Sequence, residues 1–155
     1  PSFIIVTIII TIIINNKQII HHHNQKNQQN PQQQQKKLYD LAFENIKFNE
    51  QIIKPGMNFR EFEEKASRLP DNCFDNHYPC QVHGVGMCDE WPFIPYPNKN
   101  YSNGDYSGVF EENMVICVES YVGEVGEKEG VKLEDQYLVT KNGLELLTNH
   151  PLDQI

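Results

Sequence analysis

Acidic residues are missing altogether from residues 1–37 of this 155-residue chain, whereas the remainder holds all 21 of them. The first stretch carries only four lysines, so the rest of the chain is strongly anionic within a formal net charge of −8. An anionic body repels a phosphate backbone, which argues against nucleic acid as a partner. Cysteine is also sparse: Cys73, Cys80, Cys88 and Cys117 show no C-x-x-C spacing, so a zinc ribbon is not expected. No basic start or small-residue cleavage site marks a secretory signal. Reduced thiols in a cytoplasmic protein, buried as small hydrophobes, are therefore the expectation. No apolar run is long enough to span a bilayer. The longest, FIIVTIIITIII at residues 3–14, falls short of the roughly 20 residues that ~30 Å of hydrocarbon requires, and no membrane partner is expected. Its β-branched density favours an extended, aggregation-prone strand.

What is present divides the chain in two. Residues 15–37 are a tract of Asn, Gln, Lys and His with too little apolar surface to offset the entropy of ordering, and disorder is expected there. The His21-His22-His23 run could scavenge a metal weakly or be one more biased stretch. The expected boundaries are a low-complexity segment at 1–37 outside the fold and one folded portion at 38–155, long enough for a single core. The chain opens on Pro1 rather than methionine, which points to a processed or incomplete sequence.

Leu38, Leu41, Ala42, Ile46, Ile52 and Ile53 fall mostly on one helical face, with Pro55-Gly56 as the stop. Asn58-Phe-Arg-Glu61 has the form of a capping box and predicts a second helix. Phe59, Phe62, Ala66 and Leu69 supply its buried stripe ahead of Pro70. From Cys73 onward turns and strands take over. Residues 78–92 place His83 in a glycine-flanked turn, 91–97 read as a proline-studded loop, and 98–108 as a polar loop. Strands are predicted at 114–119 and 131–140, with Asn142-Gly143 forming a type I′ turn into a short partner at 144–147. Helices followed by antiparallel strands give an α+β class: two helices on a curved antiparallel sheet.

The chemistry concentrates on His83, Glu119 and Glu134. Strand alternation puts Glu119 on a face with Val115 and Cys117, and Glu134 on a face with Lys132, Gln136 and Leu138. Two carboxylates on adjacent strands repel unless a cation or proton lies between them, so a metal is one reading. An ordinary salt bridge from Lys132 to either glutamate is the other.

These residues resemble a known family. His83-Gly-Val-Gly86, the strand-ending Val118-Glu119-Ser120-Tyr121, and Gly130-Val-Lys-Leu-Glu134-Asp followed by Leu138-Val-Thr, Asn142-Gly and Glu145-Leu-Leu-Thr look like the C-terminal half of the pita-bread metalloenzymes. That family includes methionine aminopeptidases, Xaa-Pro aminopeptidases and creatinase. The resemblance spans about residues 38–150. It implies the C-terminal half of a pita-bread fold and a pair of divalent metal ions held by two aspartates, one histidine and two glutamates. By motif, His83 is the histidine, Glu119 the terminal glutamate and Glu134 the bridging one. Iron, manganese, cobalt or zinc all suit such ligands. The two family aspartates precede the helices, where this chain has no acid, so it is expected to hold metal poorly and to be inactive alone.

Proline-directed members usually carry further histidines four residues before and seven after the metal histidine. Here those positions are Pro79 and Glu90, and His77 is out of register and expected at the surface. Asp89 and Tyr78 instead resemble the dimethylsulfoniopropionate lyases built on this fold. That likeness implies Asp89 as the base removing an α-proton and Tyr78 as an aromatic wall of a sulfonium pocket. Plainer roles are a turn cap or a Lys132 partner for Asp89, and a packing corner for Tyr78-Pro79. The resulting expectation is a fragment of a dinuclear metal-dependent, lyase-like enzyme. An Xaa-Pro aminopeptidase-type hydrolase is the alternative, and a catalytically dead interaction module the third possibility. A small-molecule or peptide substrate and a homodimer of the complete enzyme go with the first two.

Overall fold

In the computed structural model, residues 31–87, 91–96 and 107–152 are described. Helix α1 runs over Pro31–Ile52, α2 over Phe59–Lys65 and α3 over Asp71–Phe74. Strands follow as β1 (Cys80–Gly84), β2 (Phe93–Pro95), β3 (Val115–Gly123), β4 (Gly130–Thr140) and β5 (Gly143–Leu146). They form one antiparallel sheet in the order β2-β1-β3-β4-β5. The α+β class therefore holds.

One face of the sheet builds the core. Ile116, Val118 and Val122 of β3 point there with Val82 and Ile94, and they meet Leu38, Ala42 and Ile46 of α1 and Phe59 and Phe62 of α2, all essentially fully buried. Phe62 sets its ring edge-on to Phe110 at 5.7 Å. Asn58 caps α2 as predicted, its Oδ1 accepting from Arg60 N at 2.8 Å. The capping box does not close on its other side, because Glu61 pairs with Lys65 at 2.6 Å. Among the described residues no helix is long and apolar enough to cross a membrane.

The structure departs from the sequence reading in several places. Helix α1 begins at Pro31, inside the tract expected to be disordered. Proline suits a first helical position, and Gln and Lys are good helix formers. Side chains from this turn also reach the fold, Gln35 donating to Glu129 at 3.0 Å and Lys37 to Glu124 at 3.0 Å. His83 lies on strand β1 rather than in a turn. The proline-studded loop contains β2, which is possible because β2 is an edge strand and proline's missing N–H costs no ladder bond there. His77 is not on the open surface: it stacks on Phe74 at 4.9 Å and meets Tyr96 edge-on at 5.6 Å. The β4–β5 hairpin pairs Thr140 with Gly143, so its loop is Lys141-Asn142. The positive φ falls on Gly143 (128°), not on the two loop residues, and the type I′ turn does not form. The low-complexity segment before Pro31, and the polar loop from Asn98 to Tyr106, lie outside the described residues.

Candidate metal centre

The candidate site occupies the sheet face opposite the helices. Antiparallel register sets His83 of β1 against Cys117 of β3, and Glu119 of β3 against Glu134 of β4. Because side chains alternate, His83, Cys117, Glu119, Lys132 and Glu134 all emerge on this one face. A glycine next to the histidine is required by close approach. A Cβ on Gly84 would fall on the Trp91 carbonyl oxygen, and the Gly84 N–H donates to Pro92 O at 2.7 Å. That contact fixes the end of β1 that carries His83.

The histidine is oriented by its own backbone. Its Nδ1 lies 3.0 Å from Gly84 O, and a carbonyl can only accept, so Nδ1 carries the proton. Its Nε2 faces Glu134 Oε1 at 3.5 Å and forms an ion pair with it when the imidazole is protonated. Burial by itself would lower the His83 pKa, but the Glu134 carboxylate, the Gly84 carbonyl and the charge of Glu119 outweigh it and raise it to about 9. The His83 interaction holds Glu134 at about 2, against the opposing effect of burial.

Glu119 is the most enclosed of the carboxylates, with no exposed side-chain surface. Its Oε1 accepts from the Cys80 thiol at 2.8 Å. Its Oε2 lies 2.7 Å from the Lys132 ammonium, a buried ion pair. Burial pushes the Glu119 pKa up, against the pull of Cys80 and Lys132. Lys132 also lies 3.4 Å from Glu134 Oε2 and 4.0 Å from the centre of the Tyr78 ring. A positive charge is thus held between two carboxylates and over an aromatic face.

These residues fit a divalent cation. Glu119 presents a fully buried carboxylate oxygen, His83 an Nε2 that becomes a donor once it gives up its proton, and Glu134 is held ionised. Donor atoms of His83, Cys117 and Glu134 all lie within 4.8 Å of one another. The structure brings together the three ligands expected from sequence, His83, Glu119 and Glu134, and sets Tyr78 beside them through Lys132. Asp89 lies outside the described residues. Sequence reasoning assigned no donor role to Cys117 or Cys80. Only Cys117 left a signal, the strand alternation that puts it on the face of Glu119. Lys132, a salt-bridge partner expected from sequence for either glutamate, meets both. The three described cysteines, Cys73, Cys80 and Cys117, are buried and form no disulfide.

Comparison with known proteins places this arrangement. Over 112 residues the chain is 44% identical to the dimethylsulfoniopropionate lyase DddP of Roseovarius nubinhibens, an overlap covering 72% of this chain and 25% of the lyase. It is 30% identical over 117 residues to the Xaa-Pro dipeptidase of Pyrococcus furiosus, covering 72% of this chain and 30% of the dipeptidase. Among solved structures, the prolidase from Pyrococcus horikoshii superposes with a TM-score of 0.65 at 28% identity, over 81% of this chain and 35% of the prolidase. The chain thus spans about a quarter to a third of the length of these relatives. The expected fold, the C-terminal half of a pita-bread architecture, is the one it shares with them. With residues 14–141 matching the family throughout, this chain belongs to metallopeptidase family M24.

Proposed function

We propose that the chain carries the metal-holding C-terminal part, residues 38–155, of a lyase acting on dimethylsulfoniopropionate or a close sulfonium carboxylate. The observation that carries this reading is the 44% identity over 112 residues to a lyase of that name; His83, Glu119 and Glu134 fall within the residues matched to the family, 14–141. The geometry is compatible with it, since Tyr78 already supports a cation on its ring face.

In this reading His83, Glu119 and Glu134 hold divalent ions, which supply Lewis-acid polarisation of the substrate carboxylate. Lys132 gives charge balance to the two glutamates when the site is empty of cations, and its ammonium must swing aside for a metal to lie between them. Tyr78 receives the sulfonium against its ring. Asp89, six residues after His83, takes the α-proton. The electron pair of that C–H bond forms the C=C bond as the β-carbon–sulfur bond breaks, so neutral dimethyl sulfide leaves and acrylate remains. The identity and number of the metals, a homodimeric assembly and a cytoplasmic location belong to this same proposal. So does the need for ligands beyond this chain, without which it is inactive.

A second reading, hydrolysis of Xaa-Pro peptides, is supported by the 30% identity to a dipeptidase of that specificity. Against it stand Pro79 and Glu90 at the positions where proline-directed relatives are expected to carry histidines. A chimera separates the two. The matched segment of the Roseovarius lyase is replaced by the corresponding residues of this chain, and products are measured by gas chromatography and peptide assay. The lyase reading expects dimethyl sulfide release that falls at least about 100-fold in Asp89→Asn. A folded, metal-loaded chimera that cleaves an Xaa-Pro dipeptide and releases no dimethyl sulfide would establish the peptidase instead. One that binds metal and does neither favours a non-catalytic module.

A further inference from the structure

Cys117 stands among the proposed metal ligands although none of the motifs requires it to. Its Sγ, a His83 ring nitrogen and a Glu134 oxygen are mutually within 4.8 Å, and the residue is 1% exposed. Strand register enforces this placement: Cys117 is the direct partner of His83 and lies two residues from Glu119, the partner of Glu134. A buried thiol packed against a carboxylate is otherwise a poor arrangement, since it offers Glu134 only a weak donor.

We propose that Cys117 is a third protein ligand: its thiolate, with His83 Nε2 and a Glu134 oxygen, holds one divalent cation of borderline softness such as zinc. On binding, the thiol proton and the Nε2 proton of the imidazolium both pass to solvent, and the freed sulfur and nitrogen lone pairs form the metal bonds, with no change of oxidation state. Three protein ligands of mixed nitrogen, sulfur and oxygen type leave a fourth tetrahedral position for water or a substrate oxygen. A sulfur donor also shifts the preference of the site from manganese towards zinc and cobalt, because hard oxygen sets suit manganese and thiolates suit softer ions. This inference rests on the reading that His83 and Glu134 bind metal.

Cobalt(II) titrated into the full 155-residue chain tests it by absorption spectroscopy. Sulfur ligation gives a near-ultraviolet sulfur-to-cobalt charge-transfer band that saturates at one ion per chain. The band should persist in the Cys73→Ser, Cys80→Ser, Cys88→Ser triple variant. Cys117→Ser should abolish it and weaken cobalt binding at least about tenfold, while manganese binding changes less. X-ray absorption of the zinc-loaded unmutated chain gives a second measurement that does not depend on a variant folding, with a sulfur scatterer expected at about 2.3 Å. Cobalt bound with only nitrogen and oxygen scatterers and no charge-transfer band overturns the sulfur ligand and leaves the metal centre standing. No cobalt binding at all, or binding unchanged in His83→Ala and therefore owed to sites such as His21-His22-His23, overturns both.

Discussion

Glu119 and Glu134 face each other as direct cross-strand partners on β3 and β4, and the ammonium of Lys132 reaches both, at 2.7 and 3.4 Å. Like charges placed opposite one another destabilise a sheet, so this pair needs a cation or a proton against it. In the chain by itself that cation is a lysine. In the proposed metal-bound state the ion would take over the role and leave the lysine dispensable to the balance of charge.

Replacing Lys132 with methionine separates these two states. In metal-free buffer Lys132→Met should lose about 2–4 kcal/mol, because Glu119 is left buried without its counter-charge. Added zinc or manganese should recover most of that loss and stabilise the variant more than the unmutated chain. Urea unfolding with and without cation measures both. Equal stabilisation of the two proteins by the ion would mean that lysine and metal do not compete for one position.

The metal-free chain should also show a pH window set by His83 and Glu134. His83 is raised from 6.5 to about 9, so its contribution is complete below 6.5 and disappears as pH rises through 9. Glu134 is lowered from 4.5 to about 2, so its contribution is complete above 4.5 and disappears as pH falls through 2. The pair therefore stabilises most between pH 4.5 and 6.5. Relative to His83→Gln, the unmutated chain should gain about 1–2 kcal/mol in this window and nothing near pH 10. Chemical denaturation across pH checks it, and a difference that does not vary with pH would refute the pair.

Gly84→Ala should damage the site through the backbone. The new methyl meets the Trp91 carbonyl, part of the rigid chain rather than a movable side chain, so either β1 or the segment leading into β2 must shift. A loss of about 2–3 kcal/mol is expected, as for an overpacked core, together with weaker metal binding through a displaced His83. Calorimetric metal titration of the folded variant distinguishes this from Gly86→Ala, where a Cβ meets nothing within 4 Å.

Phe62→Ala should act on the fold alone. The ring is fully buried and packs edge-on against Phe110, so its removal should cost about 3–5 kcal/mol. Cobalt affinity of the fraction that remains folded should be unchanged, which spectroscopic titration at low denaturant can verify.

How much of this was legible beforehand differs from element to element. The core stripe of α2 and its Asn58 cap could be read from spacing, because helical periodicity and capping are local properties. The strand faces of Glu119 and Glu134 could be read for the same reason. β1 could not, being five residues long and ending in glycine, and neither could β2, three residues long and ending in proline. Such strands exist because neighbours pair with them, and pairing is not written in their own residues.

The sequence by itself determined the α+β character, the family and the three ligand candidates His83, Glu119 and Glu134, since each depends on residue type and short-range alternation. Only the tertiary structure decided that β1 lies beside β3, which places Cys117 against His83. It likewise decided that the Lys132 ammonium reaches both glutamates and the Tyr78 ring. Register between strands far apart in the chain is set by which side chains can be buried together, and that is a property of the assembled sheet rather than of any one segment.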